Sequence, residues 1–142
     1  MKGFTLIESV IVIAIIGMLA LVSMNNIIEF QRSATVSSAA QELASTLRVA
    51  RQNSMSGLVK TGETDTYYGV SLSGNTYELL RYPSADMLEQ HTIDPQVAVP
   101  TGSFVMTFAR ITGLPSGNAP ITLTHGTNVR TITVNANGLI SL

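Results

Sequence analysis

Twenty-one residues from Phe4 to Met24, FTLIESVIVIAIIGMLALVSM, carry a single charge, that of Glu8. About 20 such residues suffice to cross a bilayer as a helix. The segment therefore decides the layout of everything after it. Only Met1-Lys2-Gly3 precede it, and Lys2 is the one positive charge on that side. The positive-inside rule then places the N-terminus in the cytoplasm and the remaining chain across the membrane. A secretory signal peptide would need small residues at a cleavage site after the apolar core. Ser23-Met24-Asn25-Asn26 matches that pattern poorly.

Glu8 is the informative residue of the segment. A carboxylate inside a span costs roughly 2.5–3.5 kcal/mol on insertion scales, and such residues are functional candidates that need a partner. No Lys or Arg occurs from Gly3 to Gln31. The positive partner must come from a chain terminus or from another molecule.

Lys2-Gly3-Phe4-Thr5-Leu6-Ile7-Glu8 resembles the class III signal of type IV prepilins and type II secretion pseudopilins. The shared features are a short basic leader ending in Gly, then Phe, then Glu four positions on, then an unbroken apolar run. The resemblance implies cleavage between Gly3 and Phe4 by an inner-membrane prepilin peptidase, and N-methylation of Phe4. It also implies that Glu8 meets the new α-amino group at Phe4 of a neighbouring subunit, which would answer the missing partner. Removing either member of such a pair strands the other charge in apolar surroundings.

The helix has reason to continue past the span. Val36, Ala40, Leu43, Leu47 and Ala50 recur at the three- and four-residue spacings of an amphipathic helix. Arg32, Gln41, Glu42, Arg48, Arg51 and Gln52 lie between them. No proline precedes Pro83, and Gly57 is a natural stop. One helix from about Phe4 to about Ser56 would be on the order of 80 Å long. Gly17 falls in its apolar half, where the family's helix can melt in assembled filaments; close helix packing is the other role open to it.

From Gly57 onward the chain holds nine of its eleven glycines, all five prolines and all four tyrosines, which marks a change to strands and turns. Period-two runs occur at Tyr68-Val70-Leu72, Tyr77-Leu79, Phe104-Met106-Phe108, Ile121-Leu123 and Ile132-Val134. Ser73-Gly74-Asn75 and Asn135-Ala136-Asn137-Gly138 read as turns. Residues 83–102, with three prolines and no period, read as a long surface loop. The fold expected is α+β: a pilin-like long N-terminal helix, its hydrophobic half protruding, packed on a C-terminal antiparallel sheet domain. The divisions are a leader at 1–3, an apolar half-helix at 4–24, an amphipathic half at 25–56 and a β-rich globular domain at 57–142.

Phe108-Ala109-Arg110-Ile111-Thr112-Gly113-Leu114-Pro115, then Ile121-Thr122-Leu123, then Arg130-Thr131-Ile132-Thr133-Val134-Asn135 and Asn137-Gly138, look like the H-type minor pseudopilin domain (GspH/FimT class). This implies a structural, non-enzymatic minor subunit of a type IV pilus or a type II secretion pseudopilus. Its partners would be other pilins or pseudopilins, the prepilin peptidase and an inner-membrane assembly platform. It would sit in a bacterial inner membrane with a periplasmic globular domain before joining a filament. A major pilin, or a DNA-binding minor pilin for DNA uptake, are the alternatives. The DNA-binding members of the class carry a basic Gly-Arg-x-Arg motif at the last turn, where this chain has Gly138-Leu139-Ile140-Ser141.

The charges bear on that alternative. Residues 56–142 hold four basic and six acidic side chains, a net charge of −2, with no basic footprint for phosphate contact. DNA contact would have to use a local patch such as Arg110 with Arg130. No cofactor is expected. The chain lacks cysteine, and His91 and His125 fall in no catalytic spacing. Asp86, Glu89, His91 and Asp94 are close in sequence but lack the spacing of a calcium loop, so no metal is expected either.

Overall fold

In the computed structural model the described residues are 5–57, 59, 61–63 and 65–142, and of residues 21–26 the backbone alone is described. Gly3 and Phe4 lie outside them. One helix, α1, runs without a break through Leu6–Met55. Thr5 caps it: its side-chain oxygen accepts from the Glu8 N–H at 3.4 Å and its carbonyl from the same N–H at 3.1 Å. Thr-x-x-Glu is the sequence of a capping box, and an acidic first turn suits the positive end of a helix dipole. At the other end Gly57 takes φ +67°, a left-handed conformation that ends helices.

The second half of α1 carries its apolar stripe into the core. Val36, Ala40, Leu43, Ala44, Leu47 and Ala50 are fully buried. Several of these are alanines, which lets sheet side chains approach the helix axis closely. The rest of the described chain forms seven strands, all but β3 packed on this helix: β1 (Tyr67–Ser73), β2 (Thr76–Tyr82), β3 (Asp86–Thr92), β4 (Ser103–Phe108), β5 (Ile121–His125), β6 (Asn128–Val134) and β7 (Ile140–Ser141). They form two antiparallel sheets, ordered β3-β2-β1-β4 and β5-β6-β7. The alternating inward residues Val70, Leu72, Tyr77, Leu79, Met106, Phe108, Ile121, Leu123, Ile132 and Val134 complete a single core with the helix. The fold is the expected α+β arrangement, consistent with a pilin-like architecture.

β1 and β2 are joined by Gly74-Asn75, with Ser73 opposite Thr76 and Gly74 at φ +55°. That is the two-residue hairpin the sequence indicates. The Asn75 side chain then donates to the carbonyls of Asp94 and Val97, and a bridge between Ala98 and Thr124 links this loop to β5. The two sheets are thus tied together away from the helix as well as through it.

The structure corrects the reading of 83–102 as loop throughout. Residues 86–92 form β3, an edge strand paired with β2, with a register shift between Leu79 and Leu80. Its residues are all exposed or half-exposed. With neither face buried there is no period-two pattern to read, and the charges of Asp86 and Glu89 suit an unprotected edge.

Candidate functional site

Every described side chain from Thr5 to Ala20 is exposed, including Leu6, Ile7, Val10, Ile13, Ile16 and Leu19. The globular part covers none of them. A continuous apolar surface of this kind marks a membrane or protein interaction site. Within it Glu8 is the single charge, and no described residue pairs with its carboxylate. The helix is regular at Gly17, and nothing approaches the position where a Cβ would stand. Among the described residues no helix is long and apolar enough to cross a membrane. The described apolar side chains end at Ala20 and resume at Ile27.

The first turns of α1 beyond this surface are clasped by the β5–β6 hairpin. Glu29 accepts from Arg32 Nη1 at 2.9 Å on one oxygen, and from Asn128 Nδ2 at 3.2 Å and Thr127 Oγ1 at 3.5 Å on the other. Further along, arginines bind carbonyl oxygens across the fold. Arg48 donates to Ile140, Arg51 to Gly113 and Asn137, and Arg110 to Gly57. Charge-assisted bonds of this type are stronger than neutral ones.

Arg110 and Arg130 are not brought together. Arg110 holds the C-terminal end of the helix through Gly57, with Asp65 3.9 Å away. Arg130 donates to Ser37 Oγ at 3.1 Å. Those two anchor points are roughly 30 Å apart along the helix axis. They do not form one basic patch.

Two further joints have no signature in the local sequence. Ser54 is fully buried and accepts from the Tyr68 N–H at 2.8 Å, while its carbonyl accepts from Ile111 N–H at 2.9 Å. Ile111 is exposed at φ +69°, an unusual conformation for a β-branched residue, on the rim of an open cavity of about 570 Å³ that also involves Tyr67, Arg110 and Leu114. His91, expected in a loop, lies on β3 instead. Its ring stacks on Tyr77 at 5.1 Å, with Glu42 of the helix at 3.2 Å and Glu89 at 3.5 Å. Burial of Tyr77, with the neighbouring charge of Glu42, pushes the phenol up to about 12. Asp86 faces Arg81, away from this group, and no cluster of three or more potential metal ligands exists among the described residues.

Residues 1–24 match the family model described as the prokaryotic N-terminal methylation motif. No curated protein and no solved structure matches the chain. The motif supports a type IV pilin-like protein, a pilin or pseudopilin subunit that is anchored in a membrane before assembly and processed by a prepilin peptidase. The finer assignment to the H-type class is carried by the sequence resemblance alone.

Proposed function

We propose that this protein is a minor structural subunit of a type IV pilus or a type II secretion pseudopilus. The observation that carries the reading is the methylation motif at residues 1–24 standing at the head of an exposed apolar half-helix. Cleavage after Gly3 gives an α-amino group at Phe4, which is then methylated. The apolar half-helix holds the subunit in a bacterial inner membrane, with the sheet domain in the periplasm, until the assembly platform extracts it. In the filament core the helix exchanges lipid for neighbouring helices. That exchange has little hydrophobic driving force of its own, so close packing and polar pairing supply the specificity. Glu8 pairs with the N-terminal amine of a neighbour and sets the axial register. The sheet domain faces outward.

The test combines mass spectrometry of sheared filaments and of membranes with the Glu8→Leu variant. The expected result is a peptide beginning at methylated Phe4, in trace amount relative to other pilins. Processed protein confined to the membrane fraction would favour the pseudopilus, and dominance in filaments would make it a major pilin. Glu8→Leu is expected to insert in the membrane and fail to enter filaments. An N-terminus at Met1 in cells with an active prepilin peptidase, or normal incorporation of Glu8→Leu, would overturn the reading.

A further inference from the structure

A second site lies where the helix leaves its apolar half. Here α1, the loop before β4 and the β5–β6 turn enclose a cavity of about 470 Å³ lined by Ile28, Gln31, Arg32, Thr35, Gln96 and His125. No carboxylate lines it. The lining supplies N–H donors from two amides, an imidazole and a guanidinium, while the Thr35 hydroxyl donates to the Gln31 carbonyl at 2.9 Å. Arg32 uses Nη1 to bind Glu29, and its Nε and Nη2 have no partner among the described residues. Glu29 is itself held on both oxygens, so it fixes the guanidinium in place. Nδ1 of His125 is buried and has no hydrogen-bond partner among the described residues. A cavity lined by one held guanidinium with two N–H-bearing nitrogens to spare, two amides and an imidazole ring, and by no carboxylate, suits a tetrahedral oxyanion.

We propose that this cavity binds a phosphate oxyanion, and that its source is the headgroup of an anionic phospholipid. The position of the cavity selects that source. Counted from Leu6 at one face of a hydrocarbon core of about 30 Å, the helix rises about 39 Å to Arg32, about 9 Å past the other face and just outside a headgroup layer of about 5–7 Å. The long Arg32 side chain can reach back to headgroup level when the apolar half spans the bilayer. The lipid source rests on the membrane reading made under Proposed function, whereas the oxyanion site rests on the cavity alone.

The experiment separates the two. Full-length protein is placed in nanodiscs of phosphatidylcholine, in discs with phosphatidylglycerol added, and in detergent titrated with inorganic phosphate. The readout is the ¹⁵N NMR signals of the His125 imidazole and the Arg32 Nε. The expected result is a saturable shift of both with phosphatidylglycerol and with phosphate, and none in phosphatidylcholine alone. Arg32→Gln, read at His125, and His125→Gln, read at Arg32, should each raise the midpoint by about tenfold, the loss of one charge-assisted hydrogen bond. Arg32→Lys should recover part of it.

Silence in both the lipid and the phosphate arms would overturn the site. A phosphate response without a phosphatidylglycerol response would overturn the lipid source. A shift at His125 that persists undiminished in Arg32→Gln would reduce the effect to general surface charge and overturn the proposal. If the chain failed to enter nanodiscs, the membrane reading would fall, and the detergent titration would still decide the site.

Discussion

Ser54 shows how much a single small side chain carries here. It sits at the last turn of the helix, fully buried, and satisfies the backbone of Tyr68 on β1. Ser54→Ala would leave the Tyr68 N–H buried without an acceptor, at a cost of about 1–3 kcal/mol. Chemical denaturation should show this as a lower midpoint with an unchanged slope. Tyr77 makes a second prediction at this scale. Its ionisation is shifted from 10 to about 12, chiefly by burial. A phenol whose folded pKa lies above its unfolded value releases its proton more readily when unfolded. Its effect on stability is therefore constant below pH 10 and turns unfavourable as pH rises towards 12. Phenolate absorbance should show one late-titrating tyrosine that is absent in Tyr77→Phe, and that variant should lose less stability over this interval. Neither role is written in the local sequence. Both depend on what the fold brings opposite the residue.

Among the elements, the turn before β7 is the most constrained. Gly138 has φ +76°, and a Cβ there would stand 2.5 Å from the Gly113 carbonyl oxygen and 2.7 Å from Arg51 Nε. Gly138→Ala should destabilise by at least about 1–2 kcal/mol from the backbone conformation alone, and thermal unfolding would measure it. The Asn-Gly signal for this turn was plain in the sequence, as were the helix and the half-buried strands. Their apolar spacing follows directly from having one buried face. β3 was not legible, because residues 86–92 have no buried face to impose a period. The arginine contacts to Ile140, Gly113, Asn137 and Gly57 were equally invisible. A carbonyl acceptor leaves no trace in side-chain identity, and its partner is distant along the chain. At the N-terminus the methylation motif was legible in the sequence, while the clasp of Glu29 on the β5–β6 hairpin was not, because its partners lie about a hundred residues further along the chain.

For the molecule as a whole, the core begins at Val36, and the first polar links between helix and sheet among the described residues are at Glu29, with Thr127 and Asn128, and at Ser37, with Arg130. The exposed stretch 5–20 contributes nothing to it. A fragment comprising residues 25–142 should therefore fold, with a cooperative thermal transition and the near-ultraviolet signature of packed tyrosines. A molten fragment would show that the apolar half supports the domain.

The unbroken course of α1 from Leu6 to Met55 has a mechanical corollary. A rigid rod clamped over one half is a lever at the other. From Phe30 to Leu6 the free arm measures about 36 Å, so a 10° change in seating swings its tip by about 6 Å. That is more than a hydrogen-bond length. The alanine-lined bed under the clamped half thus works as the bearing that aims the free arm, and a bulkier side chain at Ala40 or Ala44 would displace Glu8 from about nine to ten turns away.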